Sequence, residues 1–428
     1  MTSPIIEYHQ ECRNMSNANR NSTPATIAST PDSTAIKDTH LSRLLSIDAY
    51  RGLVMFLMMA EMVRLSSLAT LFPEVKLWEW VKFHTTHVEW IGCSLHDLIQ
   101  PSFSFLVGTS LAFSLLKRSA QQSNSRILLH AAWRSLFLIF LGIFLRSLHR
   151  DQTNFTFEDT LTQIGLGYFP LVLIGRYPTW LTPTAIAILL GGYWGLFAVY
   201  PLPPANFDST TVGVPADWPH RLEGFQAHWN KNTNPAWAFD QWWLNLFPRE
   251  ERFEFNRGGY ATLSFIPTLA TMLLGLTAGR WLANNDWSPR KKMLLFLGTS
   301  ALLLLAAWGI ATLGLCPIVK RIWTPTWTLW SGGWCFALMG AFYLLLDVAQ
   351  WNKPFYPLLV IGANSIAAYV LTETIAGWIS DNLIRHFGPR PFLLGGESVQ
   401  PQLLGATTLF CLWLILLWLY RQKYFVKI

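Results

Sequence analysis

Between His84 and Phe105 the sequence reads HTTHVEWIGCSLHDLIQPSFSF, which sets three histidines and two acids against the mouth of an apolar run. Histidine exchanges protons near neutral pH, so a catalytic base, a metal ligand or a link in a proton path are the chemistries on offer. His84-x-x-His87 with Glu89 has ligand types, but that spacing converges on a metal only on a helix. HTTHVEW reads as loop ahead of the run, and neither HExxH nor clustered Cys and His supports it, so no metal is expected. A proton path needs titratable groups that continue at helical spacing, and after Asp97 the sequence turns to LIQPSFSFLVGTSLAFSLL. His84 and Glu89 read as solvated loop residues, His96 as a neighbour, and His87 as the candidate base. If the helix begins near Trp90, Asp97 lies about two turns deeper, roughly 10 Å. Asp97 then either sets the His87 tautomer or has a structural role.

Other polar groups are embedded in apolar sequence. Asp48 and Arg51 in RLLSIDAYRGLVMFLMM are three residues apart, share a helix face and can pair. An ion pair that fixes helix depth and a ligand-facing pair are both open. Arg134 stands well inside AWRSLFLIFLGI, and Asn364 and Glu373 punctuate IGANSIAAYVLTETIAGW. Charges are costly inside a membrane, so polar groups at several depths suggest a cavity through the bundle, with isolated interhelical hydrogen bonds as the plainer reading. In HWNKNTNPAWAFDQWW, Trp229, Trp237, Trp242 and Trp243 alternate with Asn230, Asn232 and Asn234. Flat apolar faces beside amides suit a sugar platform; a packing or membrane-surface belt is the alternative.

The elements that must position these groups are membrane helices. The chain has 428 residues, 51% hydrophobic and only 13% charged, about half the charge of a typical soluble protein. Its apolar runs do not alternate, which excludes a transmembrane barrel. The 22 tryptophans gather at run ends, as aromatic belts do. The reading is an all-α polytopic membrane protein, a bundle of about ten spans at roughly 44–66, 91–116, 127–148, 160–176, 179–200, 261–283, 293–315, 326–347, 355–377 and 402–420. Residues 1–40, rich in Ser, Thr, Asn and Pro, read as a disordered tail without a cleavable signal. Residues 41–428 form the transmembrane domain, and 201–260 one large extracytoplasmic insertion. The basic segments KRSAQQSNSR, SPRKK and RQKYFVKI fall on one side, which puts both termini in the cytoplasm and His87 outside. The net charge of +7 reflects such loops and is no argument for nucleic acid. Five scattered cysteines suggest neither a disulfide framework nor zinc, with Cys93–Cys316 the one pairing considered.

With these residues in view, His87-x-x-Trp90-x-Gly92 followed by Asp97-Leu98-x-x-Pro101-x-Phe103-x-Phe105-x-x-Gly108 resembles the core signature of the heparan-α-glucosaminide N-acetyltransferase family of transmembrane acyltransferases. Three further blocks are similar and in the same order: RLLSIDAYRG through Arg43, Ser46, Asp48, Arg51 and Gly52; AWRSLFLIFLGI with Arg134; and CPIVKRIWTPTWTL followed by GANSIAAYV. Two departures, LTQIG with Thr162 and Gln163 where an arginine is expected and the elaborate 201–260 segment, place the chain nearer the bacterial branch.

The resemblance implies transfer of an acetyl group from cytoplasmic acetyl-CoA to the amine of a glucosamine-type sugar on the far side of a plasma (inner) membrane. On that reading Arg43, Arg51 and Arg134 meet the donor's phosphates, Asp48 orients Arg51, and Asn364 lines the donor's path. His87 is the base or transient acetyl carrier, assisted by Asp97. Trp90, Trp229, Asn230, Asn232 and Trp237 are the acceptor-binding candidates. The expected partners are acetyl-CoA, the amino sugar, the lipid bilayer and a second copy of the chain. An amino-sugar transporter is the rival, since polar helices and an outer aromatic loop also suit it.

Overall fold

The computed structural model describes residues 44–426; the expected tail 1–40 and Arg43 lie outside the described residues. The helices are α1 Leu45–Met59, α2 Leu68–Leu71, α3 Lys76–Thr85, α4 Ile99–Ser119, α5 Asn124–Ser147, α6 Thr160–Gly175, α7 Leu181–Ala198, α8 Pro235–Trp243, α9 Phe265–Ala283, α10 Pro289–Thr312, α11 Pro325–Phe342, α12 Tyr356–Ala363, α13 Ser365–Phe387 and α14 Gln400–Arg421. Among the described residues there is no strand, and Ile91 and Val319 form an isolated antiparallel bridge.

Local sequence sets the helix starts. Asn234, Ser288 and Thr324 each cap a first turn with the side-chain oxygen and precede a proline at the first helical position. Asp159 caps α6, accepting from the Leu161 and Thr162 amides. Seven helices are long and apolar enough to cross a membrane, or up to nine if each bent pair is one span. The bent pairs are α1 with its continuation to Leu71, turned by 52° after the left-handed Arg64, and α12 with α13, turned by 81° at Asn364. The expected span at 160–176 is α6, whose 16 residues extend only about 24 Å, short of a hydrocarbon core of about 30 Å.

A tight crossing joins α4 to α9. A Cβ on Gly108 would strike the Met272 carbonyl oxygen, and one on Gly275 the Phe105 carbonyl oxygen, so the backbones touch because both positions lack a side chain. The segment between α7 and α9 covers the end of the bundle that carries His87. Its core packs Trp218 and Trp229 against Trp90, Tyr193 and Phe197 and against Cys316, Val319 and Ile322 of the loop before α11. Cys93 and Cys316 are separate thiols here, and burial pushes them up to about 12 and about 11.

Candidate active site

The helix carrying Asp97 begins later than the sequence suggests. His84 and Thr85 end α3, residues 86–95 run as a loop, and a single turn over His96–Leu98 leads into α4. The loop is held from both sides. Ile91 bridges to Val319, the Gly92 amide donates to the Ile318 carbonyl at 3.0 Å, and Gly92 takes φ 121°, a value L side chains rarely adopt. The Trp90 indole donates to the Trp229 carbonyl at 3.2 Å, and the Trp218 indole to Glu89 at 2.5 Å. The apolar Trp90-Ile91 pair, which reads as the top of a span, is thus the anchor of a turn, with Trp90 buried and Ile91 exposed but held by its backbone bridge.

This path folds His87 back over Asp97. His87 Nδ1 lies 2.8 Å from Asp97 Oδ1, so the gap of about two turns inferred from a continuous helix does not exist. Asp97 is fully buried, and its other oxygen accepts from the Val88 amide at 3.2 Å and the Ser94 amide at 3.0 Å. A third group completes the cluster: Lys320 Nζ stands 3.0 Å from His87 Nδ1 and 3.3 Å from Asp97 Oδ1, and the residue is only 5% exposed. An ionised carboxylate only accepts, so the short contact to Oδ1 requires the proton on Nδ1. The ammonium then pairs with Asp97, and Nε2 keeps the ring's lone pair.

Burial lowers the His87 pKa, and Lys320 adds to the fall, against the opposing effect of the hydrogen bond that His87 donates to Asp97. The imidazole is therefore neutral at pH 7. The Lys320 pKa is lowered too, by burial first, with Asp97 opposing the fall. The His87 side chain is 38% exposed, so the imidazole is accessible although its carboxylate partner is not.

A cavity of about 330 Å³ adjoins this cluster, within the range of ligand pockets. His87, His96, Lys320 and Tyr260 line one part, Met58, Met59 and Glu61 another, and Arg146, Asp159, Tyr369 and Glu373 a third. His96 lies beside His87, its ring tilted by 49° with centroids 4.4 Å apart, and reaches Glu61 through Nε2 at 3.1 Å. Lys320 lies within the CPIVKRIWTPTWTL block and could have been found there, because a basic residue in a matched block near an expected base is a candidate. Glu61, Arg146 and Asp159 had no such signal; the fold alone assembles them.

The remaining candidates sit elsewhere. Arg51 pairs with Asp48 at 3.4 Å and donates to the Ser110 hydroxyl at 2.6 Å, which joins α1 to α4. Arg134 donates to the Tyr168 hydroxyl at 3.1 Å and lies over that ring, 4.6 Å from its centroid. Asn364 is buried at the α12–α13 break, donating to the Tyr424 carbonyl and accepting from the Val426 amide. It ties the C-terminal segment down.

The residues expected to form a sugar platform lie in the packed segment between α7 and α9 and in the loop before α4. Trp229 and Trp90 are fully buried, so neither offers a face for stacking. Asn230 is held by both backbone groups of Leu222, Asn232 donates to the Val212 and Asn256 carbonyls, and the Trp237 indole donates to the Glu254 carbonyl. These residues build the cover over the bundle end. Glu89, read as solvated, accepts from Trp218 and faces His220 at 3.5 Å; His84 accepts from the Leu95 amide at 3.3 Å. Among the described residues there is no group of three or more His, Cys, Asp or Glu that could hold a metal.

Fold and site together define a polytopic helical protein with a carboxylate-oriented histidine at a polar cavity on one end of its bundle. No protein-family model matches the chain. It is similar, at 24% identity over an alignment 443 positions long, to human (Homo sapiens) heparan-alpha-glucosaminide N-acetyltransferase, with 90% of this chain and 60% of that protein covered. The mouse (Mus musculus) protein of the same name is 22% identical over an alignment 434 positions long, covering 90% and 61%. The chain spans about three fifths of the length of these curated relatives.

Proposed function

We propose that this protein is a transmembrane acyltransferase that moves an acetyl group from cytoplasmic acetyl-CoA to the amine of a glucosamine-type sugar on the other side of a plasma (inner) membrane. The observation that carries the reading is the buried Asp97 carboxylate that fixes the His87 tautomer with Nε2 free beside a polar cavity. The weak similarity to two N-acetyltransferases supports the transferred group and the acceptor class.

His87 Nε2 takes the proton as the amine attacks the thioester carbonyl, and the C–S bond breaks as the new amide forms. The same proton then passes to the departing thiolate, so His87 returns to its starting state. Asp97 holds the ring and stabilises the transient imidazolium, and Lys320 keeps Asp97 ionised. A two-step cycle through an acetylated Nε2 uses the same geometry; acid-quenched protein incubated with acetyl-CoA alone carries the acetyl group in that cycle only. In this reading Arg51, about 12 Å along α1 from the cavity-lining Met59, meets the donor phosphates, and Arg134 and Arg43 are proposed to share that role. In this reading residues 41–428 are the transmembrane domain, 201–260 its extracytoplasmic cover, and both termini are cytoplasmic.

Labelled acetyl-CoA with a panel of amino sugars and envelope glycans tests it: mass detection should find an acetylated amine, and His87→Ala should abolish the product while the purified protein stays folded. Normal transfer by that variant would remove His87 from the mechanism. One feature favours the transporter instead, since the broken α12–α13 span with buried Asn364 at its bend is a construction transporters use. Amino-sugar flux into proteoliposomes without acetyl-CoA would establish that rival.

A further inference from the structure

The site holds a second imidazole–carboxylate pair for which the transfer step has no use. His96 lies at the head of the turn into α4, its ring 4.4 Å from that of His87, and its Nε2 is 3.1 Å from Glu61 at the end of the α1 extension. His96 is buried, whereas the Glu61 side chain is 55% exposed, and both line the cavity. Buried polar side chains beside a working base cost stability unless they are fully paired, so this pair calls for a chemical account.

Acetyl transfer to an amine involves two proton departures, not one. In neutral water a sugar-type amine is largely an ammonium ion, and its nitrogen has no lone pair for attack. One proton must leave before attack and a second as the C–N bond forms. His87 handles the second and returns it to the thiolate, so the first needs another acceptor and a way out.

We infer that His96 and Glu61 form a proton-exit pair that deprotonates the bound ammonium group of the acceptor and releases that proton to water; this rests on the acetyl-transfer reading. The Glu61 carboxylate accepts from Nε2–H, which leaves the His96 lone pair on Nδ1. Nδ1 takes the ammonium proton, the imidazolium gives its Nε2 proton to Glu61, and Glu61 passes it to bulk water. The ring regains its first tautomer by exchange with water. Nothing is oxidised or reduced, and the net release of one proton per turnover matches conversion of an ammonium ion and a thioester into an amide and a thiol.

Two imidazolium ions 4.4 Å apart repel each other, so His96 must discharge before His87 accepts the second proton. An exposed carboxylate at the far nitrogen provides that discharge. The charged and titratable surroundings are those of one shared cavity. His87, Asp97 and Lys320 stand on the side of the base, with Tyr260 beside them. Arg146, Asp159, Tyr369 and Glu373 face it from α5, α6 and α13.

The test is the pH dependence of kcat/KM for the whole chain in detergent or nanodiscs, with two amine acceptors of different measured pKa. For the native protein the acid limb falls below the amine pKa and is the same for both acceptors. In His96→Gln, which keeps a donor toward Glu61, the limb should move up by about one pH unit or more and follow the pKa of each amine. Glu61→Gln, at a more exposed position, should move it in the same direction and serves if His96→Gln fails to fold. A limb that stays in place, or a loss equal at every pH for both acceptors, overturns the inference and leaves the acetyl-transfer reading standing. No transfer by the native protein at any pH overturns that reading, and the proton-exit pair falls with it.

Discussion

At the scale of the residue, the site is a set of charges that hold one another in place. Asp97 accepts from His87, Lys320 and two backbone amides, and its burial makes each of these contacts matter. Asp97→Asn removes the charge that orients His87 and leaves the Lys320 ammonium buried without its partner. A loss of about 100-fold or more in kcat is expected from the base, and breaking a buried pair costs about 3–5 kcal/mol of stability. The two effects separate in Asp97→Asn/Lys320→Met, where thermal unfolding should recover much of the lost stability while kcat stays low. Recovery of kcat together with stability would mean that Asp97 serves the fold alone. The pH profile follows from the same cluster. The His87 pKa is lowered by burial, so the free base persists as pH falls below 6.5 and activity is lost only as pH passes through the lowered value. The acid limb of kcat/KM therefore lies below 6.5 in the native protein, and Lys320→Met, which removes a charge that lowers His87, should raise it. Sequence made His87 and Asp97 legible, because titratable groups at the mouth of an apolar run stand out. It did not show their contact, since Trp90-Ile91 looks like the top of a helix and is instead a turn pinned by Val319 and Trp229. Lys320 stood in a matched block 233 residues from His87, and nothing local marks a pairing across that separation.

At the scale of the element, helix positions follow from apolar run length, and nearly every expected span coincides with a helix. What runs of apolar residues do not encode is continuity. The 81° turn at Asn364 and the 52° turn beyond α1 lie inside stretches of sequence that read as unbroken. Nor do they encode burial. Trp229 and Asn232 have the composition of a sugar surface, but tertiary packing closes them inside the cover. Depth in the bundle is set by close approaches such as α4 against α9, where Gly275 meets the Phe105 carbonyl. Gly275→Leu must push α4 outward, and overpacking of this kind costs about 1–3 kcal/mol. Thermal unfolding in detergent should show the loss. Acetyl transfer should fall as well, because α4 carries His96 and Asp97 at its start and a tilt of its axis displaces both from His87. Full stability in this variant would show that the crossing tolerates a wider spacing.

At the scale of the whole molecule, the proposed reaction needs two faces. α4 links them. It leaves Asp97 at one end and reaches Lys117 and Arg118 at the other, 21 residues or about 32 Å along its axis. A helix of that length crosses a hydrocarbon core of about 30 Å, so the base and these basic residues belong to opposite surfaces. Basic loops favour the cytoplasmic side, so the proposed reaction predicts that donor and acceptor occupy different compartments. Proteoliposomes of known protein orientation make this measurable. With acetyl-CoA confined to the Lys117 side and an impermeant amino sugar to the His87 side, acetylated sugar should accumulate with the sugar and free thiol with the donor. Reversing both compartments should abolish product in the same oriented population. Product from both substrates on one side would show that the acetyl group does not cross the bundle, and would relocate donor binding to the cavity beside His87. Passage of the unmodified sugar, with acetyl-CoA irrelevant to its rate, would instead identify the cavity as part of a transport path. The proposed reaction predicts the reverse: no sugar crosses, and each acetyl group that does leaves one thiol behind.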